Sequence, residues 1–407
     1  MAVEEVWDCE YVEPLFMVPS CVLFAERAKL TRIYNLKKER TKIIGKVISG
    51  RLSKKNAAKA ESDKALITKD IELSLNTIGS RSFWSDSEKT LKRKVSYYKS
   101  HFFQGATIVP RNFWFVKIKE TALGINPNLP WLETDTLSIR NAKPPYNEIL
   151  FEGNIELPFI YYSLMSSDLI PFGQIKFCMI ILPIVPKEKT YKFMNKNTLR
   201  EEGFFHLMDW LEKSEHYWKL FRGSKADSLS IYERLDYYGG LRIQNPKTKY
   251  KILYNSSGTN LVSTVIENKQ LDFKCKKQKV LTRGFIADCK TYFYETDKIQ
   301  EALFLSSFLN SEYINRLIKP MQSRGLWGPR DICKKVLDLP IPKFNPDNEI
   351  HIKLAGIAEK CAKKVENWKE AGGPGDIKSI GKLRGIVREL LKKELDEIDK
   401  LVKIVIE

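Results

Sequence analysis

The spacing of apolar and polar positions divides the chain into four zones. Across residues 7–31, "EPLFMVPSCVLFAERAKLT" carries two short apolar runs around Pro14 and Pro19. They read as the final strands of a sheet whose other strands are missing, because buried strands need neighbours to pair with. Residues 32–75 then turn basic, with Lys37, Lys38, Arg40, Lys42, Lys46, Arg51, Lys54 and Lys55. This zone reads as a linker that either tracks a phosphate backbone or is a solvated surface.

The third zone, 76–345, mixes periods. Strand-like runs fall at 113–118, 175–181, 249–254 and 285–294, bounded by the turn signals "PNLP", "NSSG" and "NPKT". Between them "EEGFFHLMDWLEKSEHYWKLFRG" places Phe204, Leu207, Leu211, Tyr217 and Leu220 on one helical face, closed by Gly223. The last zone, 346–407, is helical throughout. Leu354, Ile357, Cys361, Val365 and Trp368 form one stripe, "AGGPGD" breaks the chain, and Ile386, Leu390, Ile398, Leu401 and Val405 resume it as the second arm of a hairpin. The pattern predicts an α+β fold, with a mixed, mainly antiparallel sheet, flanking helices and a C-terminal helical hairpin.

Charge narrows the class. Among 407 residues, 68 Lys and Arg face 50 Asp and Glu, leaving a formal charge of +18. Such an excess suits a polyanion, since neutralising phosphates releases their counterions; a lysine-rich or heat-adapted surface is the bland alternative. Seven scattered cysteines, with no C-x-x-C pair, speak against a disulfide framework and against structural zinc. The acidic start "MAVEEVWDCEYVEPLF" is unlike a secretory signal, and the apolar run "IKFCMIILPIV" is too short to span a bilayer, so a cytoplasmic protein with no membrane partner is expected.

Catalytic motifs are sparse. No glycine-rich turn follows a strand at the spacing of a nucleotide or methyl-donor site. His206 and His216 lie off the i, i+4 spacing of a helical metal pair, which leaves His101, His206, His216 and His351 as structural residues. "KPPY", from Lys143 to Tyr146, has the outline of an amino-methyltransferase motif. That motif needs an Asn, Asp or Ser to accept hydrogen bonds from the exocyclic amine of a flipped base; lysine has no acceptor there, so the stretch reads as a surface turn.

Three segments offer exposed recognition chemistry instead. "MQSRGLWGPRDICKK" puts Arg324, Gly325, Trp327 and Arg330 on a glycine-shaped loop, suited to phosphates, guanine edges or an unstacked base. "ERLDYYGGLRIQNPKTKYK" supplies Arg234, Arg242, Gln244 and Lys247 near turn glycines. "HFFQGATIVPRNFWFVKIKE" has a turn at Gln104 and Gly105, then Arg111 before the aromatics Phe113, Trp114 and Phe115. Those aromatics alternate along a strand covered on both faces, which leaves Gln104, Gly105 and Arg111 as its exposed entrance.

Taken together, "QGATIVPRNFWFV", "KILYNSSGTNLVSTVI", "TYFYETDKIQEALFLSSFLNSEYINRLIKPMQSRGLWGPRDICKKVLDLPIPKF" and "LLKKELDEIDKLVKIV" resemble the C-terminal part of class I adenine-specific DNA methyltransferases of restriction–modification systems, with the TaqI-like specificity domain. The resemblance runs from about residue 75 onward. It implies a DNA target-recognition domain at 76–345 and a helical region at 346–407, with 1–31 as a remnant of the final strands of a catalytic domain. It also implies double-stranded DNA as partner and S-adenosylmethionine on a separate catalytic chain docking near residues 7–31. The family's cofactor-binding and methylating motifs have no counterparts here, so no catalytic, cofactor-binding or metal residue is carried over. Two other readings stay open: a nuclease using Glu201, Glu202, Asp209, Glu212 and Glu215, and a nonenzymatic scaffold for RNA or protein.

Overall fold

The computed structural model describes residues 2–16, 18–27, 42–78, 81–86, 95–120, 124–140, 142–224, 228–275, 278–325 and 328–407. The fold is α+β, with three main sheets whose strand pairs are antiparallel except one.

The N-terminal sheet runs in the order Cys21–Glu26, Ala2–Glu13, Lys42–Arg51, Leu66–Ile78, Arg81–Ser85. Its first two strands therefore have partners within the chain, and much of the expected basic linker is sheet. Cross-strand pairs accommodate its lysines: Lys42 meets Glu72 at 2.6 Å, while Lys46 meets Glu5 at 3.5 Å and lies over the Trp7 ring. Lys37, Lys38 and Arg40 lie outside the described residues. This sheet buries little, with Cys9, Val12 and Leu52 as its small core.

A central sheet follows in the order Ile160–Ser163, Cys178–Ile181, Phe115–Ile118, Trp131–Thr134, Glu152–Asn154. The run read as a strand from residue 113 begins as a helical turn, Arg111–Trp114, directly after Pro110, and the strand starts only at Phe115. Phe113, Trp114 and Phe115 are fully buried all the same. The helix Phe205–Phe221 packs Leu207, Trp210 and Leu211 into that core, and the Trp210 indole N–H donates to the Phe113 carbonyl at 2.8 Å. Leu220, expected on the buried face, is exposed, and Trp218 takes its place.

The third sheet orders Ser263–Glu267, Tyr250–Asn255, Thr291–Thr296 and Phe103–Gln104. Behind it stand the buried helix Ile299–Asn310 and the C-terminal helices Glu349–Glu370, Ile380–Leu390 and Lys392–Ile406. The returning arm of the helical region is thus two helices meeting at Leu391. Its buried stripe is Leu383, Val387, Leu391, Leu395, Ile398, Val402 and Ile406, whereas Leu390 points to solvent; both registers satisfy a four-residue spacing, so periodicity alone does not choose between them.

The central and third sheets are joined through buried polar groups. The Ser163 hydroxyl donates to the Ile286 carbonyl at 2.7 Å. The fully buried Lys251 ammonium donates to Gln244 Oε1 at 3.0 Å and the Phe285 carbonyl at 3.1 Å, and pairs with Glu295 at 3.2 Å. Glu295 in turn accepts from the Asn245 amide. Lys251→Met would strand these acceptors in the core, so denaturant unfolding should show a loss of about 3–5 kcal/mol. Adding Glu295→Gln to that variant should restore part of the loss by removing the unpaired charge.

Candidate nucleic-acid interface

A cleft of about 1080 Å³ opens beside the junction of the two larger cores. Seven cations line it, Arg111, Arg140, Lys143, Lys176, Arg234, Lys290 and Lys378, against one acid, Asp168. Of these, Arg140, Lys143, Lys176, Lys290 and Lys378 are exposed. Only Arg111 has an ion pair among the described residues. A concave surface holding this many uncompensated cations repels itself and favours a bound polyanion.

Each wall has a local cause. Pro110 and the short helix after it hold Arg111, whose guanidinium stacks over Phe115, donates to Met165 Sδ at 3.0 Å and meets Asp288 at 3.3 Å. Asp135 caps the helix Thr136–Ile139 by accepting from the Leu137 amide and the Ser138 hydroxyl, which delivers Arg140 to the rim. The "KPPY" stretch is a turn, as its sequence suggested, and that turn brings Lys143 and Tyr146 to the cleft. Arg234 lies over the Tyr237 ring.

The floor is the segment around Asp168. A 3-10 turn, Ser166–Asp168, leads into a small hairpin, Leu169–Ile170 with Gly173–Gln174, that returns Lys176 beside it. From the C-terminal helix Ile380–Leu390, the Arg384 guanidinium donates to the Ser166 carbonyl at 2.7 Å and the Leu169 carbonyl at 2.9 Å. Burial, reinforced by Arg388, brings the Arg384 pKa down to about 10. Asp168 itself is 8% exposed, and its Oδ2 is buried with no hydrogen-bond partner among the described residues. Burial pushes its pKa up to about 6, opposed by Lys176, Arg111 and Arg140 and assisted by Asp135.

The residues expected at the interface divide sharply. Arg111 and Arg234 line the cleft. Arg330 is exposed, and its carbonyl accepts from the Gly258 amide at 2.7 Å, next to the cleft residue Ser257. Arg324 and Gly325 pair with Gly328 and Pro329 through the backbone; the Arg324 side chain and all of Trp327 lie outside the described residues. Gln104 is exposed and donates to the Cys289 carbonyl at 2.7 Å, one residue before Lys290. Arg242 pairs with Asp236, and Lys247 is exposed away from the lining.

Two expectations are corrected. Gln244 is fully buried, and its amide is consumed by Gly240, Ala287 and Lys251, so it braces the core and cannot reach a base. Gly105 is buried too, and an added Cβ would lie 2.4 Å from the Ala287 carbonyl, so close backbone packing explains the glycine. The sequence reading missed Arg140, Lys176, Lys290, Lys378, Asn112 and Asp168, which come from separate segments with no shared motif. The acidic residues Asp209 and Glu212 are exposed on their helix, Glu215 pairs with Lys196 at 3.0 Å, and no group of acids or histidines able to hold a metal occurs among the described residues. Among the described residues no helix is long and apolar enough to cross a membrane.

No protein-family description matches the chain, and no curated protein does. Solved structures similar to it in part include two restriction enzymes. One is the type IIL restriction-modification enzyme MmeI in complex with DNA, at a TM-score of 0.46 and 11% identity, covering 88% of this chain and 38% of that one. The other is the type IIG restriction endonuclease BpuSI, at a TM-score of 0.27 and 10% identity, covering 98% of this chain and 43% of that one. The chain spans less than half the length of either.

Asp168 supplies a stability test. Its folded pKa lies above the ordinary 3.8, so the folded protein binds this proton more tightly than the unfolded chain does, and stability falls as pH rises through about 6. Asp168→Asn removes that penalty, which is at most about 3 kcal/mol at neutral pH. Thermal unfolding should show the variant melting higher than the parent at pH 8, with the gain shrinking toward pH 4.5.

Proposed function

We propose that this chain is the target-recognition part of an adenine-specific DNA methyltransferase of a restriction–modification system. It grips duplex DNA with the cationic cleft and its surroundings, while a separate catalytic chain carries S-adenosylmethionine and transfers the methyl group. The observation that carries the reading is the lining of seven cations with one acid, drawn from both large cores. Phosphate contacts of this kind set affinity and register, and base contacts set the target. The exposed cations fit the first role, while Arg111 and Arg234, held over aromatic rings, have the fixed geometry that base-edge contacts need. Resemblance of the stretches from residue 75 onward supports adenine-specific, TaqI-like recognition as the class.

The catalytic chain docks on the N-terminal sheet. Val22, Phe24 and Ile44 are exposed on one face of it, an apolar surface that a partner would cover. The nuclease alternative has no acidic cluster to support it among the described residues. The RNA scaffold alternative predicts a different competitor.

Fluorescence anisotropy with a labelled duplex at moderate salt should show binding well above that of an acidic control protein. Lys143→Glu, Lys176→Glu and Lys378→Glu together, all at exposed positions, should weaken binding by tenfold or more and flatten the slope of log affinity against log salt by roughly three. Affinity equal to the acidic control sinks the reading, and structured RNA competing better than duplex DNA redirects it to the scaffold. Mixing the chain with a separate methyltransferase catalytic chain that binds S-adenosylmethionine should yield site-specific adenine methylation. Phe24→Glu with Ile44→Glu should abolish that methylation while duplex binding persists.

A further inference from the structure

One aromatic ring beside the cleft stands almost wholly in solvent. Tyr238 is 87% exposed, and no other large hydrophobic side chain among the described residues is as open. It adjoins Arg234 and Tyr237, which line the cleft. The Arg234 guanidinium lies 5.5 Å from the centre of the Tyr237 ring, and the Tyr238 ring meets that same ring at 4.2 Å, tilted by 52°. Tyr238 is the most exposed of the three.

The backbone imposes this placement. Tyr238 has a φ of 58°, in the left-handed region that a bulky side chain enters only with strain. The turn around it is fixed. Asp236 accepts from the Leu241 amide at 3.0 Å and the Arg242 amide at 3.1 Å and pairs with the Arg242 guanidinium, while a Cβ added at Gly240 would lie 2.9 Å from the Gly105 carbonyl oxygen. Glycine at 238 would relieve the strain; tyrosine holds a ring out to solvent in spite of it. Strain of this kind gathers where a residue meets a ligand.

The neighbouring charge names the ligand. Arg140, Lys143, Lys176, Lys290 and Lys378 on the cleft lining are exposed and favour a polyanion. A phosphate backbone offers a phenol ring nothing flat and apolar to cover, whereas a nucleobase does. In an intact duplex the base faces are closed by stacking, so a ring reaches them only by entering the stack.

We propose that Tyr238 is an aromatic wedge, which enters the base stack of duplex DNA held by the cationic cleft and stacks on the face of a base. Every base has such a face, so the contact tolerates any sequence. This rests on the DNA-binding reading, and adds to it a contact that parts the bases without reading them.

The test uses the full chain and two duplexes of one length and sequence, one intact and one with a single central abasic site, where the stack is already open. The parent should bind the abasic duplex about tenfold tighter, the ratio expected for one base–aromatic stack. Tyr238→Gly should bring that ratio close to one, with a melting temperature equal to or above the parent's, because the ring is exposed and the strain is gone. Tyr238→Phe should keep the ratio. Equal affinity of the parent for both duplexes overturns the proposal while leaving duplex binding intact. A ratio unmoved by Tyr238→Gly, or lost in Tyr238→Phe, overturns it too, and a Tyr238→Gly protein that melts lower overturns it by showing that the ring serves packing. Failure to bind either duplex overturns both this proposal and the DNA-binding reading.

Discussion

The position of the cleft floor depends on Arg384. This guanidinium reaches from the C-terminal helix Ile380–Leu390 to carbonyls of the Ser166–Leu169 segment, two charge-assisted bonds between elements more than two hundred residues apart. Burying a guanidinium is costly unless its donors are used, and here the carbonyls that use them belong to the turn that presents Asp168. The same helix begins next to Lys378 and Ile380, which complete the cleft. One half-buried cation therefore ties the segment that presents Asp168 to the helix that starts beside Lys378.

Around that anchor, charge is sorted by depth. The deeper cations have acid partners: the half-buried Arg111 pairs with Asp288 and the fully buried Lys251 with Glu295. Cations at the rim have no ion pair among the described residues. The acids follow the opposite rule, for Asp288 is fully buried beside Arg111 with its pKa raised by burial, while Asp168 sits at the cleft with three cations nearby and none in contact. The result is a surface with a cationic outer layer and one buried acid beneath it. Both features come from backbone placement, since none of the contributing residues is unusual in type.

Much of this architecture was legible in local pattern. Alternation and three-to-four spacing identified an α+β chain, the helical C-terminal region and the buried aromatics from Phe113 to Phe115, because burial imposes its period on neighbouring residues. Errors arose where two patterns coincide. Leu383 and Val387 satisfy the same spacing as Ile386 and Leu390, and only contact with the rest of the core selects the first pair. Lysines between apolar residues read as a linker in zone two, yet acids on adjacent strands absorb them.

The sequence by itself determined the sign of the charge, the secondary-structure class and the absence of a familiar methyl-donor motif, since composition and short-range spacing are properties of the chain alone. Tertiary structure decided which polar residues are available. Gln244 and Arg234 stand ten positions apart in one polar segment, but one is sealed in the core and the other lines the cleft. Asp168 carries no motif, and reaches the cleft only because distant segments fold against one cavity. Burial of a polar group is a property of everything packed around it, and no local window of sequence contains those neighbours.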